Sequence, residues 1–168
     1  VDKEELLSIM QRSERQAHRV SQIVHRLLSL SRHGKIANET FDLVACVREM
    51  LGLLRREIDE QRIRVTLSSR TQRLMFCGDR LQLEQVFYNI VRNAVDVLRH
   101  YGPGHGAVLV SIQRRHGGVV QVRIRDNGPG IPKNIRGRIF EPFFTTKPDG
   151  TGLGLSISRT IVEAHGGR

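Results

Sequence analysis

"DNGPGIP" at residues 126–132 and "GTGLGLSIS" at residues 150–158 are two glycine clusters lying close together in one chain. Neither has the spacing of the phosphate loop found in the common nucleotide-binding folds. The first is headed by an acid that ends a β-rich run, residues 119–125. A buried carboxylate at a strand end accepts hydrogen bonds and donates none, which suits an exocyclic amine such as N6 of adenine, with a bound water carrying further contacts. Gly128 and Gly130 give the backbone access to positive φ and to a flat ring, and Ile131 can cover one ring face. Standing alone, the stretch reads equally well as an ordinary Asn-Gly turn behind a capping acid. The second cluster, Gly150, Gly152 and Gly154, opens a helical pattern whose N-terminus offers free N–H groups and a positive dipole end, a setting for phosphates. One cluster then reads a base, the other reads phosphates, and together they bracket one nucleotide. Residues 132–149 lie between them, contain Phe143, Phe144 and Lys147, and form a lid.

Upstream, residues 80–99 form a strongly amphipathic helix carrying Leu83, Val86, Phe87, Ile90, Ala94, Val97 and Leu98. Asn89 and Asn93 stand one turn apart and project from one face. Two amides there are either solvated or satisfied core residues, or an oxygen set for a hard cation. Mg²⁺ accepts amide oxygens, keeps several waters and bridges to phosphates.

The remaining chain fits an α+β fold, a two-layer sandwich with helices on one face of mostly antiparallel strands. "TFDL" begins it as a short extended piece, with Asp42 capping a helix at 43–60. Strands follow at 63–68 and 73–79, then the helix 80–99, a break at 101–106, and a hairpin of 107–114 with 119–125. A short helical turn is expected near 134–139. Ahead of all this, residues 3–32 form one long helix whose seam, Leu6, Met10, Ser13, Ala17, Val20, Val24, Leu27 and Ser31, repeats as a heptad and needs a partner helix. The expected domains are therefore 1–34 and 35–168.

Composition narrows the class. The chain has 168 residues, 39% of them hydrophobic, which is enough for one core. No run reaches the ~20 apolar residues of a membrane span, and no secretory signal is visible. The net charge of +10 favours acidic partners. The basic residues are scattered, and two Tyr with no Trp give little for bases to stack on, so nucleic acid is not expected as a partner. Cys46 and Cys77 form no metal-ligand spacing and read as two buried, reduced thiols, in keeping with a cytoplasmic domain. The sequence starts without Met and reads as part of a longer protein.

The ordered set of N-x-x-x-N, D-x-G-x-G, FF and G-x-G-x-G resembles the catalytic, ATP-binding domain of bacterial sensor histidine kinases. It is similar in particular to their nitrogen-, oxygen- and dicarboxylate-sensing branch, within the gyrase, chaperone, histidine kinase and mismatch-repair ATPase superfamily. The matching stretches are "EQVFYNIVRNAVDVL", "DNGPGI", "FEPFFTTK" and "GTGLGLSISRTIVEAHGG". The resemblance covers about residues 40–168 and implies the Bergerat ATP-binding fold preceded by one long heptad-patterned helix. It implies that Asn89 and Asn93 contact Mg²⁺ and the phosphates, with Asn93 the direct ligand. Asp126 would recognise adenine in a pocket shaped by Gly128, Gly130 and Ile131. Lys147 would reach a phosphate, and Thr151, Gly152, Leu153 and Gly154 would wrap the phosphates. Phe143 and Phe144 would anchor the lid in the core.

In hydrolytic members of that superfamily, a glutamate one turn before the metal asparagine activates water. Asn89 holds that place here, and an amide is no general base. Glu84, five residues before Asn89, should point elsewhere. This favours transfer of the ATP γ-phosphate to an imidazole, for relay to a response-regulator aspartate, over the alternative of a non-kinase ATPase or clamp. The phosphoacceptor of the family is a His followed by an acid on the first helix of a dimerisation hairpin. His18, His25 and His33 lack that acid, so residues 3–33 resemble the second helix of the hairpin. The expectation is a catalytic part that does not phosphorylate itself, lacks a last strand or two, and joins its parent homodimer through the 3–32 helix. Any attachment to the inner membrane would lie in parts of the protein beyond this sequence.

Overall fold

A computed structural model of the protein describes residues 38–99, 104–148 and 150–168. These belong to one unit, Ala37–Arg168. The expected helix at 3–32 and the boundary at residue 34 lie outside the described residues.

Strand β1 (Glu39–Asp42) leads into α1 (Leu43–Leu53) and α2 (Arg55–Glu60). Strands β2 (Arg64–Ser69) and β3 (Met75–Gly78) follow, then the long helix α3 (Arg80–Leu98). Strands β4 (Ala107–Arg114) and β5 (Val120–Asp126) precede the final helix α4 (Gly154–Ala164). The single helix expected at 43–60 is two. The break falls at Leu54, just after Gly52, the poorest helix former of the stretch. Near 134–139 the chain makes successive turns instead of a helix: Ile135 N–H bonds to Pro132 C=O, Arg138 to Ile135, and Glu141 to Arg138.

Two sheets form. β1 pairs antiparallel with β3, Phe41 opposite Phe76. The second sheet has the order β2-β4-β5. β4 and β5 are antiparallel, as their hairpin requires, while β2 and β4 run parallel, Val65 opposite Val108. That parallel pair was not foreseen, and it follows from placing α3 as the crossover between them. Burial along β4 alternates. Val108, Val110 and Ile112 are buried, while Leu109 is 43% exposed. One sheet face therefore meets α1, α3 and α4, and the other meets water, which is the two-layer arrangement.

The core is a single cluster joining Val44, Val47 and Met50 of α1, Val91, Val95 and Leu98 of α3, the three β4 residues and Ile161 of α4. Full burial of each of these side chains contributes about 1.5–3 kcal/mol. Two polar clips close the ends of the core. Asp42 caps α1 through Val44 N–H and also accepts from Leu74 N–H, both at 3.0 Å, joining the helix to the start of β3. His165, just past α4, accepts from Asp79 N–H at 3.0 Å through Nε2, and its Nδ1 lies 2.8 Å from Ile161 O. The imidazole is thus the Nδ1–H tautomer, tying the end of α4 to the cap of α3. Gly78 is needed beside it, because a Cβ there would lie 2.8 Å from the ring.

Only one of the two cysteines is buried. Cys46 sits in the core, where burial pushes its thiol up to about 12, whereas Cys77 is exposed. The expectation of two buried thiols fails because strand alternation in the two-stranded sheet turns Cys77 outward. A thiol reagent should therefore label one cysteine per native chain and two after denaturation, with Cys77→Ser abolishing the native signal.

The Leu74 N–H bond, above all, holds the Asp42 carboxyl below its ordinary value of 3.8. A depressed carboxyl stabilises the fold above its unfolded value, and that contribution is lost as pH falls through the folded value. Asp42→Ala should cost about 1 kcal/mol or more near neutral pH. Urea titrations should show the difference shrinking as the pH falls below about 4.

Candidate functional site

Helix α3 is the wall of the site. Asn89, Asn93 and Asp96 lie at i, i+4 and i+7, one stripe along the helix. Their surroundings differ. Asn89 is 8% exposed and buried against α4, its Nδ2 donating to Gly154 O at 3.3 Å and Ser158 Oγ at 3.5 Å. Ser158 Oγ in turn donates to Gly154 O at 2.8 Å. Asn89 therefore fastens the two helices together and fixes the first residue of α4 beside α3. Asn93 is half-buried, and its Oδ1 accepts from Lys147 Nζ at 3.2 Å. The same ammonium pairs with Asp96 at 2.8 Å.

The first glycine cluster flanks the C-terminal end of α3. Asp126 is the last residue of β5, opposite Val108. Its carboxylate accepts from Gly128 N–H at 2.8 Å, an Asx turn. It is exposed, not buried as expected, because β5 is an edge strand and its last residue extends past the end of the core. Asn127 holds the turn in place: its Oδ1 accepts from Ala107 N–H and its Nδ2 donates to His105 O, both at 2.8 Å. A Cβ on Gly128 would lie 2.8 Å from the Asp126 carboxylate and 3.1 Å from Val97 of α3. Gly130 uses φ +75°, and Ile131 is 41% exposed.

The second cluster flanks the middle of α3, where a Cβ on Gly154 would lie 3.6 Å from Asn89. Gly152 adopts φ +65°, and a Cβ there would lie 2.3 Å from the carbonyl carbon of Phe143. The two backbones touch because Phe143 N–H donates to Gly152 O at 3.0 Å. Phe143 itself has φ +68°, a costly conformation for an aromatic residue. Gly150 N–H donates to Lys147 O, and Lys147 N–H donates to Thr145 Oγ1, so the lysine sits in a tight turn leading into Thr151. Leu153 is buried at the start of α4, and this helix starts with no side-chain cap. An uncapped first turn, with its dipole, favours an anion.

The lid is anchored differently from expectation. Phe143 is 66% exposed and holds the turn by its backbone. Phe144 is half-buried, with the Arg138 guanidinium 4.5 Å from its ring centre. Arg159 of α4 stands 5.7 Å from the Phe140 ring, so Phe140 also ties the lid to α4. Asp96, Ser158 and Phe140 are site residues that the motif reading missed. Asp96 alone had a signal, its place on the asparagine stripe.

Among the described residues, no three His, Cys, Asp or Glu gather as a metal cluster. The oxygens of Asn93 and Asp96 fit a hard ion that takes most of its ligands from water and phosphate, as Mg²⁺ does. Glu84, the carboxylate nearest before Asn89 in the sequence, is turned to other partners. Glu84 bonds Arg80 at 2.9 Å, and Arg80 also pairs with Glu49.

Residues 78–168, more than half of the chain, match the family described as histidine kinase-, DNA gyrase B-, and HSP90-like ATPase. The two-component sensor PprA of Pseudomonas aeruginosa is 39% identical over 163 residues, covering 94% of this chain and 18% of that protein. This chain spans less than a third of the length of the curated relatives it matches first. The catalytic domain of histidine kinase ThkA, solved without nucleotide, superposes with a TM-score of 0.69 at 33% identity, covering 77% of this chain and 82% of that one. ThkA in complex with response regulator protein TrrA gives 0.74 at 28% identity, covering 99% and 47%.

The two positive-φ glycines of the clusters separate strain from contact. Gly130→Ala, with nothing within 4 Å of its Cβ, should cost only about 1–2 kcal/mol. Gly152→Ala adds collision with the Phe143 backbone and should cost distinctly more, with faster hydrogen exchange across residues 143–152. Equal melting temperatures for the two variants would contradict the stitched lid.

Proposed function

Since this chain belongs to the histidine kinase-, DNA gyrase B- and HSP90-like ATPase family, we propose that it is the ATP-binding catalytic module of a sensor histidine kinase. It passes the γ-phosphate of ATP to a histidine on a helix outside the nucleotide-binding unit. The observation that carries this reading is the single wall of α3, with a base-reading turn at its C-terminal end, an uncapped helix start beside Asn89 at its middle, and Asn93 with Lys147 between.

Each residue has one task. Asp126 accepts from the adenine amine, and its exposed carboxylate is open to that contact. Gly128, Gly130 and Ile131 form the ring slot. Thr151, Gly152, Leu153 and Gly154 offer backbone N–H groups to the phosphates. Asn93 Oδ1 would hold Mg²⁺, which would supply neutralisation of the phosphate charge. Asn89 acts by holding α4 in place. Lys147 takes a phosphate oxygen. An imidazole nitrogen attacks the γ-phosphorus in line, the bond to the β–γ bridging oxygen breaks, ADP leaves with that electron pair, and the imidazole sheds its proton. Catalysis is positioning and charge neutralisation. With Asn89 engaged by Gly154 and Glu84 by Arg80, neither is set to activate water, which disfavours the ATPase-clamp alternative.

By likeness to the ThkA complex, the downstream partner is the receiver domain of a response regulator. A homodimer formed through the 3–32 helix, a cytoplasmic location and no nucleic-acid partner complete the reading. No helix among the described residues is long and apolar enough to cross a membrane.

Calorimetry should show Mg-ATP bound in preference to Mg-GTP, with Asp126→Asn weakening ATP by about 1.5–3 kcal/mol. Mixed with ATP and an acceptor hairpin of a related kinase, the chain should yield acid-labile phosphohistidine on the hairpin and little free phosphate. Equal binding of ATP and GTP, or rapid phosphate release without labelling, would sink the proposal.

A further inference from the structure

Lys147 is already committed before any nucleotide arrives. Its ammonium donates to the Asp96 carboxylate at 2.8 Å and to Asn93 Oδ1 at 3.2 Å. The side chains of Lys147 and Asp96 are 39% and 28% exposed, so the pair is partly shielded from water. Its partners are the two hard oxygens that fit a divalent ion on α3. An ammonium within hydrogen-bond distance of Asn93 Oδ1 uses a lone pair of that oxygen and repels a second cation beside it.

We propose that Asn93 and Asp96 form a two-oxygen cation site whose resident cation is Lys147, with Asp96 the positioning residue that holds the lysine there. The inference deepens the nucleotide reading above and rests on it. Free divalent metal offers Lys147 no new partner, so the ammonium stays and the metal is kept off α3. A metal-nucleotide brings phosphate oxygens, which give Lys147 another anion and the metal further ligands. The lysine then moves from carboxylate to phosphate as the metal takes the amide. The exchange is built into the lid. Lys147 N–H bonds Thr145 Oγ1, its carbonyl accepts from Gly150 N–H, and the same loop is stitched to Gly152 through Phe143. Releasing the ammonium therefore frees this loop from α3 while its own backbone bonds stay in place.

The test is electron paramagnetic resonance of Mn²⁺ titrated into the nucleotide-free chain. Lys147→Met should create a Mn²⁺ site about tenfold or more tighter than any change seen in wild type, because the competing cation is gone. Lys147→Met combined with Asp96→Asn should lose that gain, and Lys147→Arg should keep the metal out. Circular dichroism would verify that each variant is folded. Lys147→Met binding Mn²⁺ no better than wild type, or a gain that survives Asp96→Asn, would overturn the proposal. Calorimetry with ADP judges the nucleotide reading separately. A wild-type chain that binds no ADP would remove that reading, while the Mn²⁺ comparison would still decide whether Lys147 guards the two oxygens.

Discussion

The buried amide of Asn89 sets the geometry of everything around it. Its Nδ2 reaches the carbonyl of Gly154 and the hydroxyl of Ser158, while Ser158 bonds the same carbonyl. An unpaired amide in that position would cost about 1–3 kcal/mol, so the network strongly favours one register of α4 on α3. That register puts the start of α4 beside the asparagine stripe. His165 fixes the other end of α4 to the cap of α3, so the helix is held at both ends. The lid, by contrast, meets α3 and α4 through the Lys147 bonds to Asp96 and Asn93, the Arg159–Phe140 contact and backbone bonds such as that of Phe143 to Gly152. Such contacts are individually weak, in keeping with the proposed role of this segment as a lid.

The same amide explains a choice of chemistry. A carboxylate at position 89 would be buried against the Gly154 carbonyl and, if ionised, would repel it. An amide donor satisfies it. The residue that locks the helices is thereby unable to serve as a base, so on the proposed reading stability of the fold and preference for a strong nucleophile would follow from one side chain. Charge is handled at the next turn, where Asp96 balances a lid lysine at an amide suited to a metal. The net charge of +10 suits a chain whose ligand is a polyanion.

Periodicity made the large elements legible. The apolar stripe of α3, the Asp42 cap, the β4–β5 hairpin and the two glycine clusters are local signals, and local signals survive in a sequence. The parallel pairing of β2 with β4 is a non-local fact and left no trace in either strand. The division of roles between Asn89 and Asn93 was equally hidden, since spacing puts both on one face but only packing says which faces α4. Phe143 misled because hydrophobicity implies burial, whereas its backbone is what the lid uses. Asp126 misled for a related reason: a strand end on an edge strand carries its side chain past the core.

Among the described residues there is also a cleft of about 410 Å³ apart from the glycine clusters, whose lining includes Arg70, Arg73 and Arg114 around Leu74 and Ile112. Its charge would also attract a nucleotide, which makes it a built-in control for the central claim that the two glycine clusters bracket the ligand. Amide chemical shifts should be followed by NMR while Mg-ADP is added to the labelled chain. The account predicts that Gly128, Gly130, Asn93, Gly152 and Gly154 shift together in one saturating transition, with Arg70, Arg73 and Arg114 unmoved. Shifts centred on the arginine cleft, or separate transitions for the two glycine clusters, would contradict it.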